Sequence, residues 1–196
     1  MNDMMEAPDY GQQRPPLDGA STEGGTHIRI RPLEPEDLEL LYHIENDPDI
    51  WQFSNSDAPY SRHALRQYLS SMRPVAESQE LRMVIELRNG NATKRVGTVD
   101  LLNIDLFNAK AEVGIGLLHG QRHAGIGTRA LLLIERIARE RLRLHQLYAL
   151  IAESNLSAAR SFTKAGYQSI AHLAHWHFNK GAYENVVVFQ KLLHEA

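Results

Sequence analysis

The amino-acid sequence predicts an α/β (α+β) domain with a mixed sheet. Segments whose apolar residues alternate with polar ones are interspersed with segments whose apolar residues recur every three or four positions. Between Gly127 and Leu144 the apolar residues follow the i, i+3, i+4, i+7 spacing of a long amphipathic helix. Asn89-Gly90 and Asn179-Lys180-Gly181 separate strand-like runs, as the turns of β-hairpins do.

The elements before that helix can be assigned in order. Isoleucines alternate with arginines directly after His27, which predicts a strand. Proline and acids at 34–37 predict the start of a helix that ends before Pro48, and a second helix is predicted over 61–72. Three strands are expected next, over 81–87, 96–104 and 112–118.

The elements after the long helix follow the same two patterns. We expect a strand over 147–152 and a helix over 157–165 that Gly166 ends. Two final strands, over 167–178 and 183–189, complete the order β-α-α-β-β-β-α-β-α-β-β.

Length and composition indicate one domain and exclude several kinds of site. The chain has 196 residues, 43% of them hydrophobic, and no cysteine. A disulfide framework, a cysteine-ligated metal and a cysteine nucleophile are therefore excluded. No apolar run is long enough to span a membrane, and the acidic N-terminus does not resemble a signal peptide, so we expect a cytoplasmic protein. Residues 1–26 are predicted to be a disordered acidic tail, and 27–196 a single domain.

The segment from Glu112 to Thr128 has the pattern of an anion-binding turn. A strand runs into a glycine-containing turn that opens the long helix, and exposed N–H groups at a helix N-terminus bind phosphate oxygens. Gly125 and Gly127 would let the main chain approach the anion, and the Thr128 hydroxyl would add a donor. Neither the dinucleotide nor the P-loop glycine pattern is present. The alternative is a simple strand–helix turn that needs glycine for its backbone conformation.

Two motifs flank the long helix: Arg122-x-x-Gly125-x-Gly127 precedes it, and Asn155-Leu-Ser-Ala158 followed by Gly166-Tyr167 comes after it. The first resembles the pyrophosphate signature, and the second a further element, of the GNAT family of N-acetyltransferases. The resemblance covers about 28–190 and is greatest to the branch that acetylates spermidine and ribosomal-protein N-termini. Further stretches that resemble this branch lie at 28–38, 57–60, 96–101 and 111–115.

The resemblance implies a mostly antiparallel sheet, flanked by about four helices, with a V-shaped split between two parallel strands. Acetyl-CoA would enter this split as co-substrate, its pantetheine arm pairing with the backbone near Leu117 and contacting Asn155. Its pyrophosphate would lie on the amides of the turn, which are those of Arg122, His123, Ala124, Gly125, Ile126, Gly127 and Thr128.

The implied activity is direct transfer of an acetyl group to a primary amine in a ternary complex. The acceptor would be a polyamine, a protein N-terminus or a small-molecule amine. Eight acids and no Lys or Arg lie between Glu34 and Ser61, whereas residues 62–196 carry a net charge of +7. An acidic acceptor side would concentrate a cationic amine, although the same acids could simply form a solvated helix. A nucleic-acid partner is not expected, and a homo-oligomer is possible.

Glu112 and Asp100 are the candidate proton acceptors, because both are carboxylates in otherwise apolar strands. Either could instead form an ion pair with an arginine. At the position where the spermidine-type relatives carry a tyrosine acid, this chain has Phe162, so Ser157, Ser161 or water would have to protonate the thiolate, or it would leave unassisted.

Three other interpretations remain open at this point. Phe162 is also consistent with a non-catalytic acyl-CoA-binding module of the same fold. The glycine turn alone would fit a phosphate-binding domain unrelated to CoA. His172, His175 and His177 could suggest a metal, but no further ligand lies at useful spacing, so we expect no metal site.

Overall fold

A computed structural model describes residues 17–21, 27–54, 58–122 and 124–194. Its centre is an eight-stranded sheet whose strands are β1 (Leu17–Ser21), β2 (His27–Pro32), β3 (Leu81–Asn89), β4 (Ala92–Asp105), β5 (Lys110–Leu117), β6 (Gln146–Ala152), β7 (Gln168–Asn179) and β8 (Ala182–Leu192). The helices in these ranges are α1 (Leu38–Glu45), α2 (Pro48–Trp51), α3 (Arg62–Ser70), α4 (Val75–Ser78), α5 (Ile126–Glu140) and α6 (Leu156–Lys164).

The sheet has the spatial order β1-β2-β3-β4-β5-β6-β8-β7. Neighbouring strands are antiparallel except β5 and β6, which are parallel. The fold class expected from the sequence, a mixed and mostly antiparallel sheet flanked by helices, is therefore confirmed.

The two parallel strands pair over three residues and then separate. The pairs join Lys110–Glu112 to residues 146–148, and the register ends there. Beyond this point β5 continues to Leu117 along β4, whereas β6 continues to Ala152 along β8. This divergence is the expected V-shaped split, and it leaves the facing edges of both strands without a strand partner.

Helices cover both faces of the sheet. Helix α5 packs on one face, where Leu131 and Ile134 are fully buried against strand residues such as Ile85. On the other face α1 and α3 enclose a smaller apolar cluster that includes Leu41 and Leu65. Truncation of one such leucine to alanine typically costs about 2–5 kcal/mol of stability.

Close approach of α1 to the sheet depends on Gly116 in β5. A Cβ atom at this position would lie 3.0 Å from the Ile44 Cγ2 atom and 3.7 Å from the Ile50 Cδ1 atom. Any larger residue would therefore push α1 and α2 away from the strand. The absence of a side chain here brings these helices next to the split.

The structure differs from the sequence-based expectation near the N-terminus. Leu17–Ser21 forms an antiparallel edge strand with β2, so the predicted disordered tail does not hold for these five residues. Edge pairing uses only backbone groups and therefore needs no apolar periodicity. Residues 1–16 and 22–26 lie outside the described residues.

Two short helices and one helix end were also not predicted correctly. Helices α2 and α4 have four residues each, too few for a periodic pattern. Helix α5 ends at Glu140 instead of Leu144, and Arg143 adopts a positive φ of 54°. The apolar pattern extends to Leu144 because this residue, which lies in the loop after the helix, is also buried in the core. Among the described residues, no helix is long and apolar enough to cross a membrane.

Candidate functional site

A cavity of about 680 Å³ opens where β5 and β6 diverge. Strands β4, β5 and β6 and helix α6 form its walls, and α1, α2 and the loop after α2 cover it from the other side. The charged and polar lining residues include Glu45, Asp49, Arg82, Asp100, Glu112, Arg122, Asn155, Ser157 and His177. Of these, Arg82 comes from β3, Arg122 from the turn before α5 and His177 from β7.

Strand β5 lines the cavity along the part that diverges from β6. Residues 112–117 all contribute to the lining, and Val113 also belongs to the buried core together with Ala111. The Leu118 N–H donates to the Val96 carbonyl of the neighbouring chain segment, so the backbone groups of Leu117 point to the opposite edge. That edge is the open side of the split, where the family resemblance implies pairing with the pantetheine arm.

The turn before α5 has the geometry of an anion site. Gly125 adopts φ +72°, a left-handed conformation that glycine adopts without steric cost, and α5 starts at the next residue. The first N–H groups of a helix have no acceptor within it, so the amides of Ile126, Gly127 and Thr128 are available to a ligand. Ala124 and Gly125 are exposed. His123, also predicted here, lies outside the described residues.

Gly127 and Thr128 face helix α6, which forms one wall of the cavity. A Cβ atom on Gly127 would lie 3.5 Å from the Ser161 Oγ atom, which is ordinary contact. The Thr128 hydroxyl donates to the Ser161 carbonyl oxygen at 3.4 Å, so α5 and α6 are joined behind the turn. The Thr128 backbone N–H can therefore donate to an anion. The Thr128 hydroxyl, which was expected to be a second donor to the anion, donates to α6 instead.

The Arg122 guanidinium contacts three acceptors from two parts of the chain. Its Nε donates to the Leu117 carbonyl oxygen at 3.2 Å. Its other nitrogens bind the Asp47 carboxylate at 2.7 Å and the Asp49 carboxylate at 3.0 Å. The side chain is 24% exposed. A residue of the predicted pyrophosphate turn is thus ion-paired to the start of α2.

Asn155 and Ser157 lie at the start of α6, where this helix lines the cavity. The Asn155 side-chain oxygen accepts from the Ala158 N–H at 3.1 Å and caps α6, which leaves its amide group as the donor toward the cavity. Ser157 is exposed and lines the cavity. The Ser161 hydroxyl donates to the Ser157 carbonyl oxygen and is therefore engaged within the helix.

Phe162 lines the cavity from within the apolar core. Its ring is 2% exposed and makes an edge-on contact with Tyr167 at 5.0 Å between centroids. It also packs on Phe189. Burial and the nearby Glu135 raise the Tyr167 pKa, and the Tyr167 hydroxyl has no hydrogen-bond partner among the described residues. Phe162 itself has no proton to donate.

Asp100 is a buried carboxylate at the cavity wall. It is 6% exposed, and one of its oxygens lies 3.1 Å from an Arg82 nitrogen. The other oxygen is buried without a hydrogen-bond partner in the described part of the chain. Burial raises the Asp100 pKa to about 6, even though the Arg82 charge opposes this increase. The Asp100 carboxylate is therefore a stronger base than that of an ordinary aspartate.

Arg82 joins Asp100 to α1; an ion pair of Asp100 with an arginine was one of the alternatives left open by the sequence, but the sequence did not identify Arg82 as the partner. The same guanidinium binds the Glu45 carboxylate of α1 at 2.7 Å. Arg82 and Asp100 face each other in the register of β3 and β4, which sequence separation alone does not reveal. The only available signal was an arginine within an apolar strand.

Glu112 lies where the split begins. Its carboxylate accepts from the Asn103 side chain at 3.0 Å, and it pairs in register with Tyr148 of β6. Burial raises the Tyr148 pKa, and the nearby Glu112 charge adds to the effect. The two predicted proton acceptors, Asp100 and Glu112, thus lie on the same face of neighbouring strands.

The histidines do not form a metal site in the described residues, where no group of three or more His, Asp or Glu side chains could hold an ion. His172 and His175 are exposed. His177 lines the cavity, and its Nε2 atom lies 2.8 Å from the Gln52 carbonyl oxygen, so that β7 contacts the loop after α2. Trp176, Tyr60 and Phe53 also line the cavity.

Comparison with known proteins gives one family and a consistent set of relatives. The model of the acetyltransferase (GNAT) domain matches residues 27–168. A curated spermidine N(1)-acetyltransferase of Escherichia coli K12 is 26% identical over 160 residues, which cover 82% of this chain and 83% of that protein.

Solved structures show the same fold. Spermidine N-acetyltransferase from Vibrio cholerae, in complex with CoA and spermine, matches with a TM-score of 0.76 and 23% identity, covering 85% of this chain and 95% of that one. A dodecameric structure of the Vibrio cholerae enzyme matches with a TM-score of 0.71 and 23% identity, covering 85% and 94%.

Proposed function

This chain belongs to the GNAT acetyltransferase family, and we propose that the amine it acetylates is a polyamine. It is an acetyl-CoA-dependent N-acetyltransferase that acts on a primary amine. The proposal for the acceptor rests on the charge of the cavity and is supported by the spermidine N-acetyltransferases to which the chain is similar.

The carboxylates of the cavity carry this proposal. Four of them line it, from Glu45, Asp49, Asp100 and Glu112, and two arginines accompany them. The described lining therefore has a net negative charge when the carboxylates are ionised. A cavity of this sign concentrates a cation with several ammonium groups, and its aromatic side chains can cover the methylene chain between them.

The residues around the split fit acetyl-CoA. The amides at the start of α5 offer donors for a pyrophosphate, the Leu117 backbone faces the split, and the Asn155 amide group lies across from it. Acetyl-CoA supplies the activated acetyl group, which is bonded to the amine nitrogen as the carbon–sulfur bond breaks and the sulfur leaves.

Asp100 is our choice for the group that accepts the amine proton. An ammonium group must lose a proton before its nitrogen can act as a nucleophile, and Asp100, buried and titrating near neutrality, is ionised at pH 7 and can accept it, directly or through water. Glu112 lies at the narrow end of the split, held by Asn103, and we assign it to orienting the ammonium group.

Ser157 is our choice for the proton donor to the departing sulfur. Phe162 cannot take this role, and Ser161 is bonded within α6. The Ser157 hydroxyl is exposed at the cavity and belongs to the first turn of α6. The positive end of the helix dipole at that turn would also stabilise a thiolate, whose ordinary pKa of about 8.5 makes strong acid assistance unnecessary.

We further propose a homo-oligomer located in the cytoplasm, where acetyl-CoA and polyamines occur. Strand β7 lies at the edge of the sheet and exposes large apolar side chains, with Trp176 at 61% and Phe178 at 59%. An exposed apolar edge strand is a usual interaction surface. The dodecameric relative supports the proposal.

A panel of amines tests the acceptor, with CoA release as the readout. The panel contains spermidine, spermine, a monoamine, amino acids and peptides with free N-termini. We expect saturation by spermidine at a lower concentration than by the monoamine. Equal rates for all amines, or activity with peptides alone, would contradict the polyamine assignment. Tight CoA binding without turnover of any amine would favour the non-catalytic acyl-CoA-binding module.

A further inference from the structure

Arg122 is a residue at which the two substrate sites of this chain meet. It begins the turn that we assign to the pyrophosphate, yet its guanidinium is ion-paired to Asp47 and Asp49 at the start of α2, 75 and 73 residues earlier. Asp49 and Arg122 line the same cavity. A rearrangement at one substrate site therefore has a direct route to the other.

The charges at this contact set up a competition. One guanidinium and two carboxylates carry a net charge of −1, which disfavours a second anion beside them. A pyrophosphate is itself a strong acceptor for arginine, whose planar group suits phosphate oxygens. Leu117, Asp49 and Asp47 already occupy three of the five N–H donors of Arg122, so a pyrophosphate that binds the guanidinium in bidentate fashion must compete with the carboxylates for it.

The same side chain also contacts the backbone that faces the split. Its Nε donates to the Leu117 carbonyl oxygen, at the strand edge that we assign to the pantetheine arm. Arg122 thus touches one group assigned to the cofactor and two carboxylates on the acceptor side. If the guanidinium moved, the Leu117 carbonyl and the two carboxylates would both lose a donor at the same time.

We propose that Arg122 couples the two substrates: binding of CoA draws its guanidinium from Asp47 and Asp49 to the pyrophosphate, and the released carboxylates strengthen binding of the cationic amine. Asp47 and Asp49 then act through Arg122 as positioning residues. This inference rests on the proposed function for its second half, because the carboxylates matter to the acceptor only if the acceptor is a cation.

Thermodynamic linkage gives the proposal a quantitative form. If CoA increases the affinity for a polyamine by some factor, the polyamine increases the affinity for CoA by the same factor. Couplings of this kind are typically about 5-fold to 150-fold. Because the pairs are partly exposed, we expect a value at the lower end, about 5-fold, at low ionic strength.

Asp47 and Asp49 can be neutralised without removing the start of α2. One Asp47 oxygen caps the helix by accepting from the Asp49 N–H at 2.8 Å, and the other oxygen binds Arg122. Asparagine caps helices as well as aspartate does, so Asp47→Asn keeps the cap and loses the charge. Asp49 is half exposed, and it also lies 3.6 Å from His119, so Asp49→Asn changes a second, more exposed contact.

The experiment measures binding of CoA itself by calorimetry, in the full chain and without amine. We expect Asp47→Asn/Asp49→Asn to bind CoA more tightly than the parent, by roughly 5-fold, because the competitors for Arg122 are gone. Weaker or unchanged CoA binding would overturn the proposal, since it would mean that the carboxylates hold Arg122 in place for CoA or do not affect it.

The matched control is Glu36→Gln/Glu39→Gln, which removes two charges from the same acidic segment without touching Arg122. Glu39 is ion-paired with Arg62, and Glu36 is exposed. We expect little change in CoA affinity. An equal gain in the control would assign the effect to the general field and overturn the proposal. If the double variant unfolds, Asp49→Asn alone should give the same sign with a smaller factor.

A second arm measures spermine binding with and without saturating CoA. We expect CoA to tighten spermine binding about 5-fold in the parent and by a factor near one in Asp47→Asn/Asp49→Asn. Equal factors in both proteins would overturn the coupling. If spermine fails to bind either protein, the polyamine assignment fails instead, and the CoA arm still decides the competition for Arg122.

Discussion

Asp100 has only one described cationic partner, and its ionisation should control the reaction rate. If it accepts the amine proton, kcat/KM should rise with pH through about 6, since burial raises its pKa to about 6. Asp100→Asn should lower kcat by roughly 10²- to 10⁴-fold and remove this limb of the pH profile. Steady-state rates between pH 5 and 9 give both results.

Glu112→Gln is the comparison for this prediction. It should lower the rate by a smaller factor and retain the limb near pH 6, because Glu112 is assigned to orientation. If Glu112→Gln removes the limb and Asp100→Asn keeps it, the two roles are reversed.

Asp100 also makes a contribution to the pH dependence of stability. Its folded-state pKa of about 6 lies above the ordinary value of 3.8, so the folded protein holds this proton more tightly than the unfolded one. The stabilisation is complete below about pH 4 and decreases as the pH rises toward about 6. The carboxyl group is therefore kept in the cavity wall at a cost to stability at neutral pH, as expected of a functional residue.

Phe162→Tyr would place a hydroxyl at the position where the resemblance to the spermidine-type branch implies a tyrosine acid. We expect kcat to increase by at most about 10-fold, below the usual 10²- to 10⁴-fold contribution of general acid catalysis, because a thiolate leaves readily without a strong acid. Phe189→Tyr is the control, because this ring packs on Phe162 but does not line the cavity. An unchanged rate and pH profile in Phe162→Tyr would show that sulfur protonation is not limiting.

At the scale of elements, the turn before α5 combines a left-handed backbone conformation with the contacts that we assign to CoA. Gly125→Ala should lose about 1–2 kcal/mol of stability, because its φ of +72° disfavours a side chain, and should also weaken CoA binding. Gly90→Ala, at φ +55° in the β3–β4 hairpin, should lose similar stability and leave CoA binding unchanged. Thermal unfolding and CoA titration separate the two effects, and equal CoA affinities in the two variants would contradict the assignment of this turn.

The sequence allowed prediction of the elements whose packing follows a local period. Helix α5 and the β7–β8 hairpin have clear patterns, whereas the four-residue α2 shows none. Of the candidate site, the glycine turn and the Asn155 cap follow from local chemistry. The ion pairs of Arg122 with α2 and of Arg82 with Asp100 depend on how distant segments pack, and no local pattern encodes them.

For the whole molecule, the uneven distribution of charge should make acceptor binding depend on salt. Screening weakens attraction between exposed charges beyond about 8 Å at physiological ionic strength. We expect the KM for spermidine to rise several-fold between low and high salt, and the KM for a monoamine to rise less. Equal salt dependence for the two amines would contradict an electrostatic contribution to selectivity.

The short pairing between β5 and β6 has a consequence for biosynthesis. A nascent chain that extends through α6 already contains every residue assigned to the cofactor, but β6 is then joined to the sheet by three residue pairs alone. Seven further pairs come from β8, which follows thirty residues later. The ribosome must therefore release the β7–β8 hairpin before β6 is fully paired in the sheet. Translation arrested within β7 would yield a chain that contains the residues assigned to catalysis but does not form a stable CoA site.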